Sequence, residues 1–562
     1  MKTICSSRKT FLVGMASATA IPVWAGPSPL RLRIGAMSDN HLHAKRPETH
    51  RKTKACFDLF RRERVDVVMD TGDIADQSDM NELRFFRSCF DAAFVGTKTV
   101  PFFAIANHDT NYDPVHGGNA PKFNDPETIA AAIAALKMSS PNPCMAVKGY
   151  QFVSIRQFEK VEVLEANIRK AVAANVGNRP IFVMTHEPPF ATTSWTIYWS
   201  SRQIRNVLNR YPQVVSLSGH IHDSIAWAAN VWQGEFTAVN LGAHAQYSNP
   251  VDGEATILDV YDDRIDIRRY EAVSGREIGA DDRWSIPLPL DPMKGPYRPA
   301  VRVASMTPPR MPSDLGLEFE PVGKGEKGAL VFRSAEPRNA TMRYRVAFES
   351  KADDGTWRFL AETNWRRPQE LVERPSWRFE FPALMLDAGR RHRVTMTPVD
   401  SFGRDGAAGT AEFDAPANPL KPLTAEPFAF AGVTKGTKPG GEALTPAADG
   451  WYGPCMNVVA AFPDEALAAV RGRKWVYCVA DVGSDQKSVP AVFSVGRFTK
   501  DANARSSNIG ERVYTAGGLR ASNRYVWRIR TDALAEGDRA GIVVTWGDPG
   551  RFRFNSVRFY GA

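Results

Sequence analysis

From Arg31 to Ile286 the chain alternates two kinds of segment. Short runs of apolar and β-branched residues recur at Leu32–Met37, Val65–Asp70, Val100–Ile105, Tyr150–Ile155, Ile181–Met184, Val214–Leu217, Thr237–Asn240 and Ala255–Val260. Between them lie stretches that are amphipathic or alanine-rich at helical period: Arg51–Glu63, Asn81–Ala93, Glu127–Leu136, Val161–Ala174 and Ser201–Tyr211. Strand-length apolar runs alternating with longer helical stretches predict an α/β domain, the runs buried as sheet and the helices packed on them. The connection Asp109–Lys148, rich in Gly, Asn and Pro around one helical stretch, reads as a loop that shapes a pocket entrance.

The pattern changes after Leu288. Pro289, Pro292, Pro296, Pro299, Pro308 and Pro309 cluster there and helical periodicity largely stops, which marks a domain boundary. Beyond it, apolar and polar residues alternate at period two in Met342–Ser350, Trp357–Ala361, Trp377–Phe381 and Arg391–Pro398, with Asp353-Asp354-Gly355 as a turn, so a small β-sandwich is expected. The segment Leu386–Gly403 resembles the late strands of a fibronectin type III domain, with His392 where that family has its corner tyrosine. A second linker, Ala415–Pro427, precedes strands expected at Asn457–Ala461, Lys474–Ala480, Ala491–Phe498, Tyr525–Arg530, Gly541–Trp546 and Arg553–Tyr560. The closing alternation Phe552–Tyr560 is similar to the last strand of jelly-roll carbohydrate-binding modules. Trp451, Tyr452, Trp475, Trp527 and Trp546 would stack on sugars if they shared an exposed face, although filling a sandwich core is the commoner use of such residues.

Composition adds bounds. At 562 residues the chain is too long for one core. Its formal charge of +9 favours anionic ligands, but no Lys/Arg-rich run or nucleic-acid-binding motif accompanies it. In the first 25 residues Lys2, Arg8 and Lys9 precede an uncharged run from Thr10 to Trp24, and Val23-Trp24-Ala25 offers small residues where a signal peptidase reads. A signal peptide over 1–25 is therefore expected, and with it export to the periplasm, cell surface or medium. Ser7–Leu12 resembles a twin-arginine signal with Lys9 in place of the second arginine. Thr10–Trp24 is short for a bilayer span, Pro22 interrupts it, and no later stretch reaches transmembrane length. Of the six cysteines Cys5 falls in the signal; the other five cannot all pair within one chain, export permits disulfides, and Cys455 with Cys478 is the pair to test. The absence of Cys-x-x-Cys argues against a thiolate zinc site.

The chemistry lies where the apolar runs end. Asp39-Asn40-His41 follows the first run, Gly72-Asp73-Ile74-Ala75-Asp76 the second and Asn107-His108-Asp109 the third; His186-Glu187 follows Ile181–Met184, and Gly219-His220-Ile221-His222 follows Val214–Leu217. Neutral imidazole and carboxylate are the usual ligands of Zn, Fe, Ni or Mn. Of the ten histidines in the chain, nine lie between His41 and His244.

Order, spacing and strand-end position of these five segments resemble the calcineurin-like metallophosphoesterase family over about residues 30–285. For residues 30–287 the resemblance implies an α/β metallophosphoesterase sandwich with central sheets flanked by helices; with the readings above, the expected chain is multidomain, with signal peptide 1–25 before it, a fibronectin type III-like β-sandwich at 296–416 and a jelly-roll-like one at 425–562 after it. The resemblance also implies two divalent transition-metal ions (Mn, Fe, Zn or Ni), one held by Asp39, His41, Asp73 and His222 and the other by Asp73, Asn107, His186 and His220. Asp73 would bridge them, a metal-bridging hydroxide would be the nucleophile, and His108 would protonate the leaving oxygen while Asp76 fixes its tautomer. Ala106 stands in the place of the family's usual glycine, so its turn must avoid a glycine-only conformation. Asp76 is followed by Gln77-Ser78, not the Arg-Gly of protein serine/threonine phosphatases, and position 76 is not the tyrosine of purple acid phosphatases. His43, His50 and His116 read as loop residues, Glu187 and Asp109 as supports, and His244 as a residue near one sheet edge.

The expected substrate is a phosphate mono- or diester. Alternatives are a pyrophosphate bond in a nucleotide, nucleotide-sugar or lipid head group, read by loops such as Phe190–Trp199, and a non-catalytic glycan-binding or adhesion protein. The two C-terminal domains offer a glycan or cell-envelope ligand as partner.

Overall fold

The structure, a computed structural model, describes residues 28–110, 125–195, 200–244, 253–280, 283–323, 325–336, 341–366, 375–436, 440–455, 457–485, 492–498, 507–514, 523–532, 534–545 and 550–561. The expected signal segment, His116, Tyr198, Trp199 and Trp546 lie outside them.

The N-terminal domain is built from two facing sheets. Its strands are β1 (Leu30–Met37), β2 (Val67–Asp70), β3 (Val100–Phe103), β4 (Cys144–Val147), β5 (Tyr150–Ser154), β6 (Ile181–Met184), β7 (Val214–Ser218), β8 (Val231–Gln233), β9 (Thr237–Asn240), β10 (Glu254–Tyr261), β11 (Arg264–Glu271), β12 (Arg276–Ile278) and β13 (Trp284–Pro287). One sheet runs β12-β11-β10-β1-β2-β3 with β13 also on β11, and the other β4-β5-β6-β7-β9-β8. Strands β1, β2 and β3 are parallel, as are β5, β6, β7 and β9.

Alternation of side chains along each strand makes three cores. Val67 and Met69 of β2, with Leu32, Ile34, Phe102, Phe152, Phe182 and Leu217, fill the space between the sheets. Val68, between them in sequence, faces the other way onto a helical layer of α1 (Pro47–Arg62), α2 (Met80–Ala93) and α4 (Pro126–Leu136), the short α3 (Asn107–Thr110) lying between the last two in sequence. On the second sheet Val153, Ile181 and Val183 pack against Leu164 and Ile168 of α5 (Val161–Ala174) and Val207 and Leu208 of α6 (Arg202–Leu208). Each such buried Leu, Ile, Val or Phe contributes about 1.5–3 kcal/mol. Helix starts are set by side chains: Asp79, Asp125 and Ser201 each accept from a backbone N–H in the first turn of α2, α4 and α6. Among the described residues no helix is long and apolar enough to cross a membrane.

The proline-rich stretch after β13 holds a helix that the sequence pattern does not announce, α7 (Pro299–Ser305), with proline at its first position. Then follow a three-stranded sheet over Glu318–Val322, Lys327–Arg333 and Ser376–Pro382, and a four-stranded sheet over Trp357–Arg366, Thr341–Lys351, Arg391–Asp400 and Gly409–Asp414. His392 is buried; its Nε2 accepts from the Asp387 N–H (3.0 Å) and its Nδ1 donates to the Arg390 carbonyl (2.9 Å).

The remaining strands form a six-stranded and a five-stranded sheet. Lys421–Pro422, inside the stretch read as linker, already pairs with Tyr560–Gly561. Cys455 and Cys478 are buried and unpaired, so the candidate disulfide is not formed. Trp527 lies in the core beside Tyr525, and Arg528 covers the partly exposed Trp475, so the four of these aromatics among the described residues do not make one exposed face.

Candidate dimetal site

All five donor segments leave the same edge of the paired sheets. The turns after β1, β2 and β3 bring Asp39, His41, Asp73 and Asn107 from one sheet; those after β6 and β7 bring His186, His220 and His222 from the other. Asp39, His41, Asp73, His220 and His222 all have left-handed backbones, with φ between 44° and 70°. This conformation costs an L-residue about 1–2 kcal/mol and persists only where the surroundings impose it. Here the Asp39 N–H donates to Gly72 O (3.0 Å), His41 N–H to Asp73 O (2.9 Å) and Gly219 N–H to His186 O (3.1 Å), which ties each turn to its neighbour. Buried Asp109 adds a second tie: its carboxylate accepts from the N–H groups of Asp73 (3.1 Å), Ala75 (2.9 Å) and Ala106 (2.9 Å).

Donor atoms converge in three groups, two made of the expected ligands and a third of His41, Asp76 and His108. One oxygen or nitrogen each of Asp39, His41, Asp73 and His222 lies within 4.8 Å of the others, and the same holds for Asp73, His186 and His220. His41 Nε2 is 3.1 Å from His222 Nε2, and His186 Nε2 is 3.0 Å from His220 Nδ1. Two nitrogens sharing an ion at 2.0–2.1 Å in tetrahedral geometry stand about 3.3 Å apart, so both pairs have the span of ligands to one ion. The imidazoles are fixed from behind. His41 Nδ1 lies 3.0 Å from Asp76 Oδ1 and His186 Nδ1 3.1 Å from Thr71 O, which leaves each Nε2 with its lone pair toward the cavity. Asn107 Oδ1 is buried and accepts no hydrogen bond among the described residues, as suits an oxygen reserved for a cation.

Charge points the same way. Burial raises the Asp39 and Asp73 carboxyls, but the imidazoles around them outweigh it and hold both well below the ordinary range. Burial lowers His41 and His186, yet the neighbouring carboxylates raise them to about 10 and about 9. Burial and the His186 imidazole hold His220 down at about 3. The cavity favours positive charge, and the N/O donor set fits divalent transition metals.

Residues 32–224 match the family model of calcineurin-like phosphoesterases. The N-terminal domain belongs to this family. No curated protein matches the chain. Among solved structures, a dimetal phosphatase from Danio rerio is 12% identical with a TM-score of 0.33, covering 46% of this chain and 99% of its own. A purple acid phosphatase from yellow lupin (Lupinus luteus) seeds is 13% identical at 0.34, covering 46% and 54%. GAP50, the anchor in the inner membrane complex of Plasmodium, is 13% identical at 0.28, covering 47% and 91%.

In this phosphoesterase domain one expected relationship is corrected. The Asp76 carboxylate stands at ion-pair distance from His108 and not in a hydrogen bond to it: its Oδ1 is 3.8 Å from His108 Nδ1 and its Oδ2 is 2.7 Å from an Arg46 guanidinium nitrogen. His108 Nδ1 instead meets the peptide carbonyl of Asp76 at 2.7 Å. The hydrogen bond fixes the His108 tautomer all the same, because a carbonyl only accepts, and the second proton of the ring then goes to Nε2. His108 stands 40% exposed beside the buried donors.

Other residues take supporting places. Glu187 Oε1 accepts from Gln157 Nε2 (3.0 Å), and Gln157 Oε1 accepts from the Asn107 N–H (2.8 Å). His244 is buried, with its Nδ1 on the Glu254 carbonyl (3.0 Å) and its N–H on Ser38 O (2.8 Å), so it supports the first turn from beneath. His50 pairs with Glu82 (2.6 Å), and His43 accepts from the Lys45 N–H (3.0 Å). Sequence reading missed Arg46 and Gln157, which stand outside the five segments and carry no spacing signal.

Proposed function

We propose that the chain is an exported dinuclear-metal hydrolase of phosphate mono- or diesters. The observation that carries the reading is the place of Asp73 Oδ2, 3.1 Å from His186 Nε2 and 3.9 Å from His41 Nε2, where one carboxylate serves both donor groups. Asp39, His41, Asp73 and His222 would hold one ion, and Asp73, Asn107, His186 and His220 the other. When bound, two ions of Mn, Fe, Zn or Ni lower the pKa of water and neutralise phosphoryl oxygens.

The chain's own residues do the rest. The Asp73 Oδ1 atom accepts from the His108 N–H at 2.9 Å, which sets the His108 backbone against the bridging carboxylate. With Nδ1 committed to the Asp76 carbonyl, His108 has Nε2 from which to protonate the leaving oxygen. The 25-residue leader supports export, and the two β-sandwich regions are read as anchoring the enzyme on a glycan or cell-envelope surface. Hydrolysis of p-nitrophenyl phosphate and its bis ester, restored by divalent ions after chelation, tests the reading; no turnover with any of the four metals would remove it. Binding of the full chain to a glycan array tests the anchoring role separately.

A further inference from the structure

Arg46 lies outside the five donor segments, in the connection between β1 and α1. Its backbone is fixed there: the Arg46 N–H donates to His43 O (2.8 Å), and Arg46 O accepts from the Thr49 N–H (3.0 Å) and hydroxyl (2.8 Å) at the start of the helix. From this anchor the guanidinium reaches inward to Asp76 Oδ2 at 2.7 Å, with 18% of the arginine side chain and 4% of the aspartate side chain exposed. An ion pair this enclosed is held far more firmly than a surface pair.

Two histidines compete for the other oxygen. Asp76 Oδ1 is 3.0 Å from His41 Nδ1 and 3.8 Å from His108 Nδ1. The His41 and His108 rings lie edge to face with centroids 4.7 Å apart, so a modest turn of the carboxylate would exchange one partner for the other. A carboxylate is planar, so the ion pair of Oδ2 with Arg46, a close contact and not a well-aligned hydrogen bond, favours one direction of Oδ1. We propose that Arg46 is a positioning residue that commits the Asp76 carboxylate to His41, and thereby aims His41 Nε2 at the donor group it shares with Asp39, Asp73 and His222. His108 is left to the Asp76 carbonyl. The inference rests on the dinuclear reading above, and it assigns Arg46 to metal affinity at one of the two positions, not to substrate.

The test is a Co2+ titration of the full chain after removal of metal by chelator, comparing the parent with Arg46→Met and with Arg46→Lys. Loss of a group that orients a ligating histidine costs about 10–100-fold in affinity. Arg46→Met is expected to weaken one of two binding events by that factor and leave the other within about 2-fold, and Arg46→Lys should fall between it and the parent. Turnover of p-nitrophenyl phosphate by Arg46→Met should drop at limiting metal and return at excess, with KM unchanged. In an Asp76→Ala background Arg46→Met should add nothing, because residues acting through one contact are not additive. Equal weakening of both events, unchanged affinities, an undiminished Arg46 effect without Asp76, or a raised KM with normal metal binding would each overturn the assignment. If the parent itself binds no Co2+, the dinuclear reading fails and this inference with it; two bound ions in the parent and an unaffected Arg46→Met would sink the inference alone. Should Arg46→Met not fold, Arg46→Lys, compared with the parent and again in the Asp76→Ala background, still decides.

Discussion

Asp76 and His41 meet through a carboxylate oxygen and Nδ1 at 3.0 Å in the interior of the site, while His108 takes the peptide carbonyl of the same aspartate. One residue thus orients two histidines by two different groups. Asp76→Ala removes only the first. It is expected to weaken metal binding about 10–100-fold, yet to recover most turnover at saturating metal, since the carbonyl under His108 remains. Metal titration alongside kcat at saturating metal checks this; a lasting loss of kcat at full occupancy would return the carboxylate to His108.

Asp73 and His108 should separate cleanly. Asp73→Asn keeps the shape but loses the charge shared between the two donor groups, and is expected to lose bound metal and nearly all turnover. His108→Ala should keep metal and lose turnover, most for esters with high-pKa leaving groups. Elemental analysis of both variants, with a leaving-group series for the second, measures the difference.

Gly219 is fixed by contact. A Cβ there would run into the Ser38 hydroxyl and the Asp39 carboxylate, and His220 donates its N–H to that carboxylate at 2.9 Å. Gly219→Ala is expected to displace Asp39, lower stability by about 1–3 kcal/mol and reduce metal content, read by thermal unfolding and elemental analysis.

Glu254 makes stability depend on pH. It is buried below the His220–His222 turn, accepting from Ser224 Oγ (2.9 Å) and Ala243 N–H (3.1 Å). Burial, opposed by these hydrogen bonds, raises it from 4.5 to about 8. The folded chain therefore keeps a proton that the unfolded chain has released, so this contribution is full below pH 4.5 and is lost as pH rises through 8. Burial holds neighbouring His244 near 4, below its ordinary 6.5, which gives the opposite slope below pH 6.5. Above pH 7 Glu254 acts alone of the two. Glu254→Gln should therefore gain in Tm over the parent between pH 7 and pH 9; an equal or falling difference would contradict the buried neutral carboxyl.

How much was legible follows from what a strand pattern records. The bounds of the buried parallel strands β6, a continuous apolar run, and β9, Ala238-Val239 flanked by Thr237 and Asn240, were read directly, as was α5 from its amphipathic spacing. The shorter or half-polar β4, β8, β11, β12 and β13 were not, because their alternation is interrupted by charge or too brief. The donor residues were legible because each ends an apolar run. The direction of the Asp76 carboxylate was not, since it depends on Arg46 arriving from a different turn. Nor were the left-handed backbones at Asp39, His41, Asp73, His220 and His222, which no residue type among them demands. The unpaired Cys455 and Cys478 show the same limit, because parity and proximity in sequence say nothing about which strands face each other.

The central claim is that Asp73 joins two metal positions in a phosphoesterase. The most direct measurement is metal content by elemental analysis of the chain from Gly26 onward, purified without chelator and assayed on p-nitrophenyl phosphate and its bis ester. The account predicts about two transition-metal ions per chain together with turnover. A chain that holds no metal and stays inactive after reconstitution with Mn, Zn, Fe or Ni would contradict it.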